Sequence, residues 1–322
     1  MTKMIRRFLV STAALGLAVV TSSASADSAN PDNNAATHAG RASVYKSGAF
    51  DNNNSLEAVS TTTAIRSMFD KSGNPTVGST RIWKVLEHGE KLECLSCIPL
   101  VAGLLYDAQP KTREIAAWWL RRRIFGVFDD GKVYSQVIDT LGDASQPPTR
   151  RAYAASALGE FLLFAGREPL AAAIRNDESP VVRQAAVAAL ERMNTDGPKH
   201  ELSVAMGDGD VSVRLAAVHA ATRINVFTDV SAIAGLVGDE QASVRQAAAA
   251  ALGTMRVTDS VDSLVMLSSP ENEPDANVRK AAVWSLGLIG DAAGADAIVS
   301  AQSDPNAFVR DAARAASLRL AL

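Results

Sequence analysis

From about residue 98 onward, the apolar positions of this 322-residue chain fall in stripes spaced by three and four residues. Val244, Ala247, Ala248, Ala251, Leu252 and Met255 form one stripe, and Val182, Ala185, Ala186, Ala189, Leu190 and Met193 form another. Val278, Ala281, Ala282, Leu286 and Ile289 form a third. That period places one apolar face on an α-helix. Most of these residues are small, so neighbouring helices can approach closely. Ser179, Asp210, Asp275 and Asn306 stand where N-caps are needed. Pro110, Pro148 and Pro180 suit a first helical turn, where a missing N–H loses nothing.

An arginine recurs beside each stripe. The clearest copies are SPVVRQAAVAAL around Arg183, DVSVRLAAVHAA around Arg214, QASVRQAAAAAL around Arg245, DANVRKAAVWSL around Arg279 and NAFVRDAARAAS around Arg310. The steps between them are 31, 31, 34 and 31 residues. Weaker copies surround Arg151 and Arg113, 38 residues apart because FGVFDDGK lengthens that unit. A shorter helical segment precedes most copies, such as PLAAAIRN, HELSVAM, VSAIAGLV and ADAIVSAQ. One helix pair cannot bury both its faces, so the pairs must stack. The pattern predicts an all-α protein, an α-solenoid with a right-handed superhelix of about seven helix pairs.

Six residues before the arginine stands Asp107, Asp177, Asp208, Asp239 or Asp304, with Ser145 and Glu273 in the other two copies. With its D-x-x-x-x-V-R-x-A-A-x-x-A-L signature, residues 98–322 resemble the HEAT-like repeats of the phycobilisome-lyase type. The resemblance is specific for fold and not for activity. It implies that acid and arginine form a polar ladder tying each inter-helix turn to its neighbour. Carried onto this chain, the rungs are Asp177–Arg183, Asp208–Arg214, Asp239–Arg245 and Asp304–Arg310. The Arg279 copy departs, with Glu273 and the longer turn SSPENEPDANVR, which puts its rung in doubt.

The first residues change where this solenoid is expected to reside. Lys3, Arg6 and Arg7 precede an apolar run from Phe8 to Val20, and Ala24-Ser25-Ala26 provides an A-x-A site. This is the pattern of a secretory signal peptide cleaved after Ala26, and the run is shorter than the roughly 20 residues of a bilayer span. Export to the periplasm or the extracellular space follows as an expectation, with no integral membrane segment after cleavage. Cleavage leaves 29 basic against 35 acidic residues, a net of −6. Such a balance argues against nucleic acid as a partner, since phosphate contacts supply most of that affinity. Residues 27–60 are polar and aperiodic and read as a disordered leader. Residues 61–97 read as an N-terminal helical cap, and residues 98–322 as the solenoid.

The candidate chemistry is sparse. Cys94 and Cys97 in LECLSCIPL are the only cysteines. In an exported chain they read first as a local disulfide stapling the approach to the first repeat. A redox-active pair is the alternative, although no βαβ pattern surrounds it. Zinc would need two further ligands, and only His88 is near. His200-Glu201 is a single His-Glu pair, fewer than a di-iron HEAT-like hydroxylase requires. No phosphate loop, nucleophile elbow or H-E-x-x-H occurs, so no enzyme, cofactor or metal is expected. Trp118, Trp119, Arg121, Arg122, Arg123, Phe125 and Phe128 concentrate aromatic and basic residues in the first unit. They read either as a cap with large side chains or as a partner-binding patch, since Trp, Tyr and Arg dominate interface hot spots. The function expected is a non-enzymatic scaffold binding a protein or peptide on its concave face. A small redox or enzymatic activity centred on the cysteine pair is the competing reading. The last repeat leaves three outcomes open: an exposed apolar face, self-association with a second copy, or cover by a partner.

Overall fold

The computed structural model describes residues 56–91, 94–124, 131–194, 199–224 and 227–321. Among them stand sixteen α-helices, and no strand beyond an isolated bridge between Phe69 and Pro75. The segment read as a signal peptide, residues 1–26, and residues 27–55 of the segment read as leader lie outside the described residues. A helix at Leu56–Ser67 begins inside the segment read as leader, and with Ser79–His88 it makes an additional pair ahead of the repeats. Ile82, Val85 and Leu86 bury one face of that second helix.

Seven helix pairs follow. The first helices of the pairs are Ile98–Gly103, Lys132–Gly142, Arg167–Asn176, Lys199–Met206, Val230–Gly235, Val261–Ser268 and Ala295–Ala301. The second helices, which carry the repeated arginine, are Pro110–Arg121, Pro148–Phe161, Pro180–Met193, Val211–Arg223, Ala242–Thr254, Ala276–Ile289 and Ala307–Leu320. The caps are read correctly at Asp210, Asp275 and Asn306, whose side chains accept the N–H groups opening their helices. Ser179 sits at an N-cap position without making that bond.

Packing is closest along the second helices. A Cβ on Gly253 would lie 2.3 Å from Ser285 Oγ, and one on Gly287 would lie 2.6 Å from Ala316 Cβ. Backbones therefore nearly touch where one helix offers glycine and the next a small residue. In a stack of pairs, the row with the closer spacing lies on the inner side of the curve, so the arginine-bearing helices form the inner row. Val182, Val213, Val244, Val278 and Val309, each one residue before its arginine, are fully buried between the rows. The buried residues form two clusters, one from Ile65 to Leu252 and one from Ala249 to Ala316, which meet at the helix Ala242–Thr254, and each unit contacts chiefly its neighbours.

Candidate functional site

Each repeated arginine occupies the fourth position of its inner helix, so its guanidinium emerges beside the turn that opens the helix. Nη1 of Arg183 donates to the carbonyls of Asp177 at 2.9 Å and Glu178 at 3.1 Å in its own turn. Its Nε–Nη2 edge donates to the carboxylate of Asp208 in the next unit at 2.6 and 2.7 Å. The arrangement recurs from Arg151 to Asp177 at 2.8 and 2.8 Å, and from Arg245 to Glu273 at 2.6 and 2.8 Å. Arg279 meets Asp304 at 2.8 and 3.1 Å, and Arg214 meets Asp239 at 2.8 and 2.9 Å. The expected rungs are thus corrected by one unit: Arg151, Arg183, Arg214, Arg245 and Arg279 each take the next unit's acid, and Arg183, Arg214, Arg245 and Arg279 take only the backbone carbonyl of their own. The turn explains the shift. Asp177 accepts the N–H of Ser179 at 2.9 Å and Asp208 that of Asp210 at 2.8 Å, which aims each carboxylate toward the preceding unit.

The copy with Glu273 does not break the ladder. Glu273, Arg279 and Asp304 are its most buried members, at 2%, 4% and 4% exposure. The ladder fails instead at its first unit, where Ser145 replaces the acid and Arg113 lies over the Tyr153 ring at 3.9 Å. Burial alone would raise the carboxyl groups of Asp177, Asp208, Asp239, Glu273 and Asp304. The arginine and backbone hydrogen bonds outweigh it and hold all five below the ordinary carboxylate value. Lone pairs so engaged have no proton to exchange, and the ladder is architecture.

The aromatic and basic residues of the first unit divide into two roles. Trp119 is fully buried and its Nε1–H donates to the Gly89 carbonyl at 3.0 Å. Arg123, 2% exposed, stacks on the Trp119 ring and donates to the carbonyls of Trp119 and Glu90. These two cannot meet a partner, which corrects their place in the predicted patch. They pin the first repeat to the helix before it. Trp118 is half-buried, and Arg121 and Arg122 are exposed, Arg122 pairing with Glu90 at 2.6 Å. Phe125 and Phe128 lie outside the described residues. Cys94 and Cys97 form a disulfide, with exposures of 5% and 0%.

A face not singled out in the sequence comes from the same alignment. Five residues after the first six arginines stand Trp118, Ser156, Ala188, His219, Ala250 and Trp284, half-buried at Trp118 and exposed at the rest, and after Arg310 stands half-buried Ala315. Positions one and nine after the arginine share that face, because residues four apart are neighbours on a helix. Ser156, Ala188 and Ala250, with the larger His219 among them, therefore floor a track along the inner row between two tryptophans. One edge is charged: Arg192 pairs with Glu160 at 2.6 Å, and Arg223 with Glu191 at 2.8 Å. Trp284 is 40% exposed, and Arg319 lies over its ring at 4.9 Å. The repeat register carried this signal, but only for a reader looking at exposed offsets as well as buried ones.

Among the described residues, no group of three or more His, Cys, Asp or Glu side chains could hold a metal ion. Glu201 of the His-Glu pair lies 3.6 Å from Arg175. No helix among the described residues is long and apolar enough to cross a membrane.

No curated protein matches the chain. Among solved structures, Kap95p bound to RanGDP is similar over 90% of this chain and 41% of its own, at 16% identity and a TM-score of 0.56. A YibA protein of Escherichia coli aligns over 84% of this chain and 98% of its own, at 13% identity and a TM-score of 0.49. The CpcE–CpcF phycocyanin lyase complex of Nostoc aligns over 70% and 93%, at 22% identity and a TM-score of 0.37. The Kap95p likeness concerns the fold alone. The family model of HEAT repeats matches residues 167–237 and 231–318. With that match, the stacked helix pairs and the arginine ladder, the chain is a HEAT-like repeat protein.

Proposed function

We propose that this protein is an exported, non-enzymatic scaffold that holds a protein or peptide ligand along its inner helix row. One observation carries the reading: the track of Ser156, Ala188, His219 and Ala250 between Trp118 and Trp284. Six helices at about 8–10 Å spacing make it roughly 45 Å long, the length of about 14 extended residues. Ser156, Ala188 and Ala250 admit a backbone, His219 offers it a polar contact, tryptophans anchor apolar side chains, and the arginine–glutamate edge fixes direction. The basic, apolar and A-x-A pattern of residues 1–26 supports export.

Filling the track tests the reading. Ala188→Arg and Ala250→Arg place long charged side chains at exposed positions and should leave the melting temperature unchanged. Affinity purification from the native host should recover a partner with the wild-type protein and lose it with the double variant. Equal recovery from both would refute an inner-row site. Fusion of residues 1–26 to a reporter active only outside the cytoplasm tests export, and an inactive fusion would refute it.

A further inference from the structure

The junction between the first two units lacks a rung, although both units are present. Nη1 of Arg113 donates to the carbonyls of Asp107 at 2.7 Å and Ala108 at 3.1 Å, as the ladder arginines do in their own turns. Its Nε–Nη2 edge, which elsewhere takes the next unit's carboxylate, meets none among the described residues. The next turn explains this. Ser145 stands where the acid belongs, and the carboxylate of Asp143 is taken up by Ser145 Oγ at 2.6 Å and Gln146 Nε2 at 3.0 Å. Arg150, in the first turn of the next inner helix, lies over the Tyr106 ring at 3.9 Å, as Arg113 lies over Tyr153. Two cation–π contacts thus replace the rung, and they engage the face of the Arg113 guanidinium rather than its edge.

Arg113 also borders the inner track. With Tyr153 it lines a cavity of about 260 Å³ between the helices Pro110–Arg121 and Pro148–Phe161, and the track residue Ser156 lines the same cavity. Leu105, Ala117 and Ala157 are its buried walls, and Glu114 is exposed. We infer that this cavity receives an aspartate or glutamate side chain of the polypeptide held in the track, bound by the Nε–Nη2 edge of Arg113. Four arginines of the ladder show that edge holding a carboxylate at 2.6–3.1 Å through both nitrogens. Bidentate guanidinium–carboxylate pairing combines charge with direction. Two turn carbonyls and the Tyr153 ring already orient Arg113, so the ligand need supply only the acid. The volume admits a side chain but not a helix, which is about 10–12 Å across. Charge favours an acid over a base. Glu160 is taken by Arg192 at 2.6 Å, and Arg121 on the same helix offsets the exposed Glu114, which leaves the half-buried Arg113 as the uncompensated charge. A lysine entering the cavity would press against that guanidinium.

The inference rests on the scaffold reading and names the chemistry of its ligand near Trp118. The probe is acetyl-glutamate methylamide, titrated into the purified full-length protein while NMR follows the arginine Nε–Hε and backbone amide signals. The Arg113 Nε–Hε signal, assigned by its loss in Arg113→Lys, should shift saturably with a midpoint of roughly 10 mM, the scale of one charge-assisted pair. The filled ladder arginines Arg183 and Arg245 should not respond, and acetyl-glutamine methylamide should move nothing. Arg113→Lys keeps the charge and removes the fork, so binding followed at the Ser156 amide should weaken about ten-fold or more. A silent Arg113, an equal response to the glutamine compound, or unchanged binding in Arg113→Lys would overturn the inference. Tighter binding of acetyl-alanine, whose only carboxylate is a chain end, would overturn the side-chain assignment in favour of a C-terminus. Self-association in sedimentation that Arg113→Lys abolishes would make a second copy the occupant and overturn it as well. The Ala188→Arg and Ala250→Arg double variant reads the track floor separately. Loss of the partner there with a silent Arg113 would uphold the scaffold and sink only this site.

Discussion

At the scale of single residues, one guanidinium does two jobs at right angles. One edge closes its own turn and the other holds the next unit, so neither contact can be lost without exposing a buried partner. Arg279→Ala leaves Asp304 buried without its cation and should cost about 3–5 kcal/mol in urea unfolding. Arg310→Ala strands no carboxylate but loses its two hydrogen bonds to the turn carbonyls of Asp304 and Pro305, and should cost only about 1 kcal/mol. The same geometry sets a pH dependence. The five rung carboxyls titrate lower when folded than when unfolded, so the folded state binds fewer protons in acid. Their stabilisation is full above about pH 4 and is lost as pH falls through the folded values. Melting temperature should therefore drop steeply below about pH 4, and less steeply in Glu273→Gln; parallel curves for the two proteins would contradict the ladder's part in it.

At the scale of elements, the inner helices keep glycine where helix propensity disfavours it. Gly253 and Gly287 each forgo about 1 kcal/mol relative to alanine, because a Cβ there would strike the next helix. On Gly253 that Cβ would sit 2.6 Å from Ser285 Cα, an atom that cannot rotate away. Gly253→Ala should consequently destabilise by about 1–3 kcal/mol despite its better propensity; a rise in the unfolding midpoint would show that the row spreads easily. The turn before Arg279 is three residues longer than its counterparts, yet it delivers Glu273 to Arg245 in the common geometry. Loop length varies freely because only the acid, the amide it accepts and the helix start must keep their places.

At the scale of the whole molecule, stability is passed from neighbour to neighbour, and the disulfide at residues 94–97 closes too short a loop to govern it. Cys97→Ser should cost about 2 kcal/mol or less and leave the helical circular dichroism unchanged. Helix periods, caps, unit spacing and the Asp–Arg repeat were all legible in the chain, because each is written in local offsets that recur in every copy. The pairing of each arginine with the following unit's acid was not, since both partners repeat at the same interval and sequence cannot say which of two equal neighbours is nearer. Nor could it tell Trp118 from Trp119, where the helical turn between successive residues leaves one half-buried and puts its neighbour in the core, or Arg122 from Arg123 in the turn that follows. The sequence by itself determined the helix pairs and the need to stack them, because hydrophobic periodicity is a local property. Tertiary structure alone decided which face remains open, namely the inner track, because exposure depends on which helix lies across the gap.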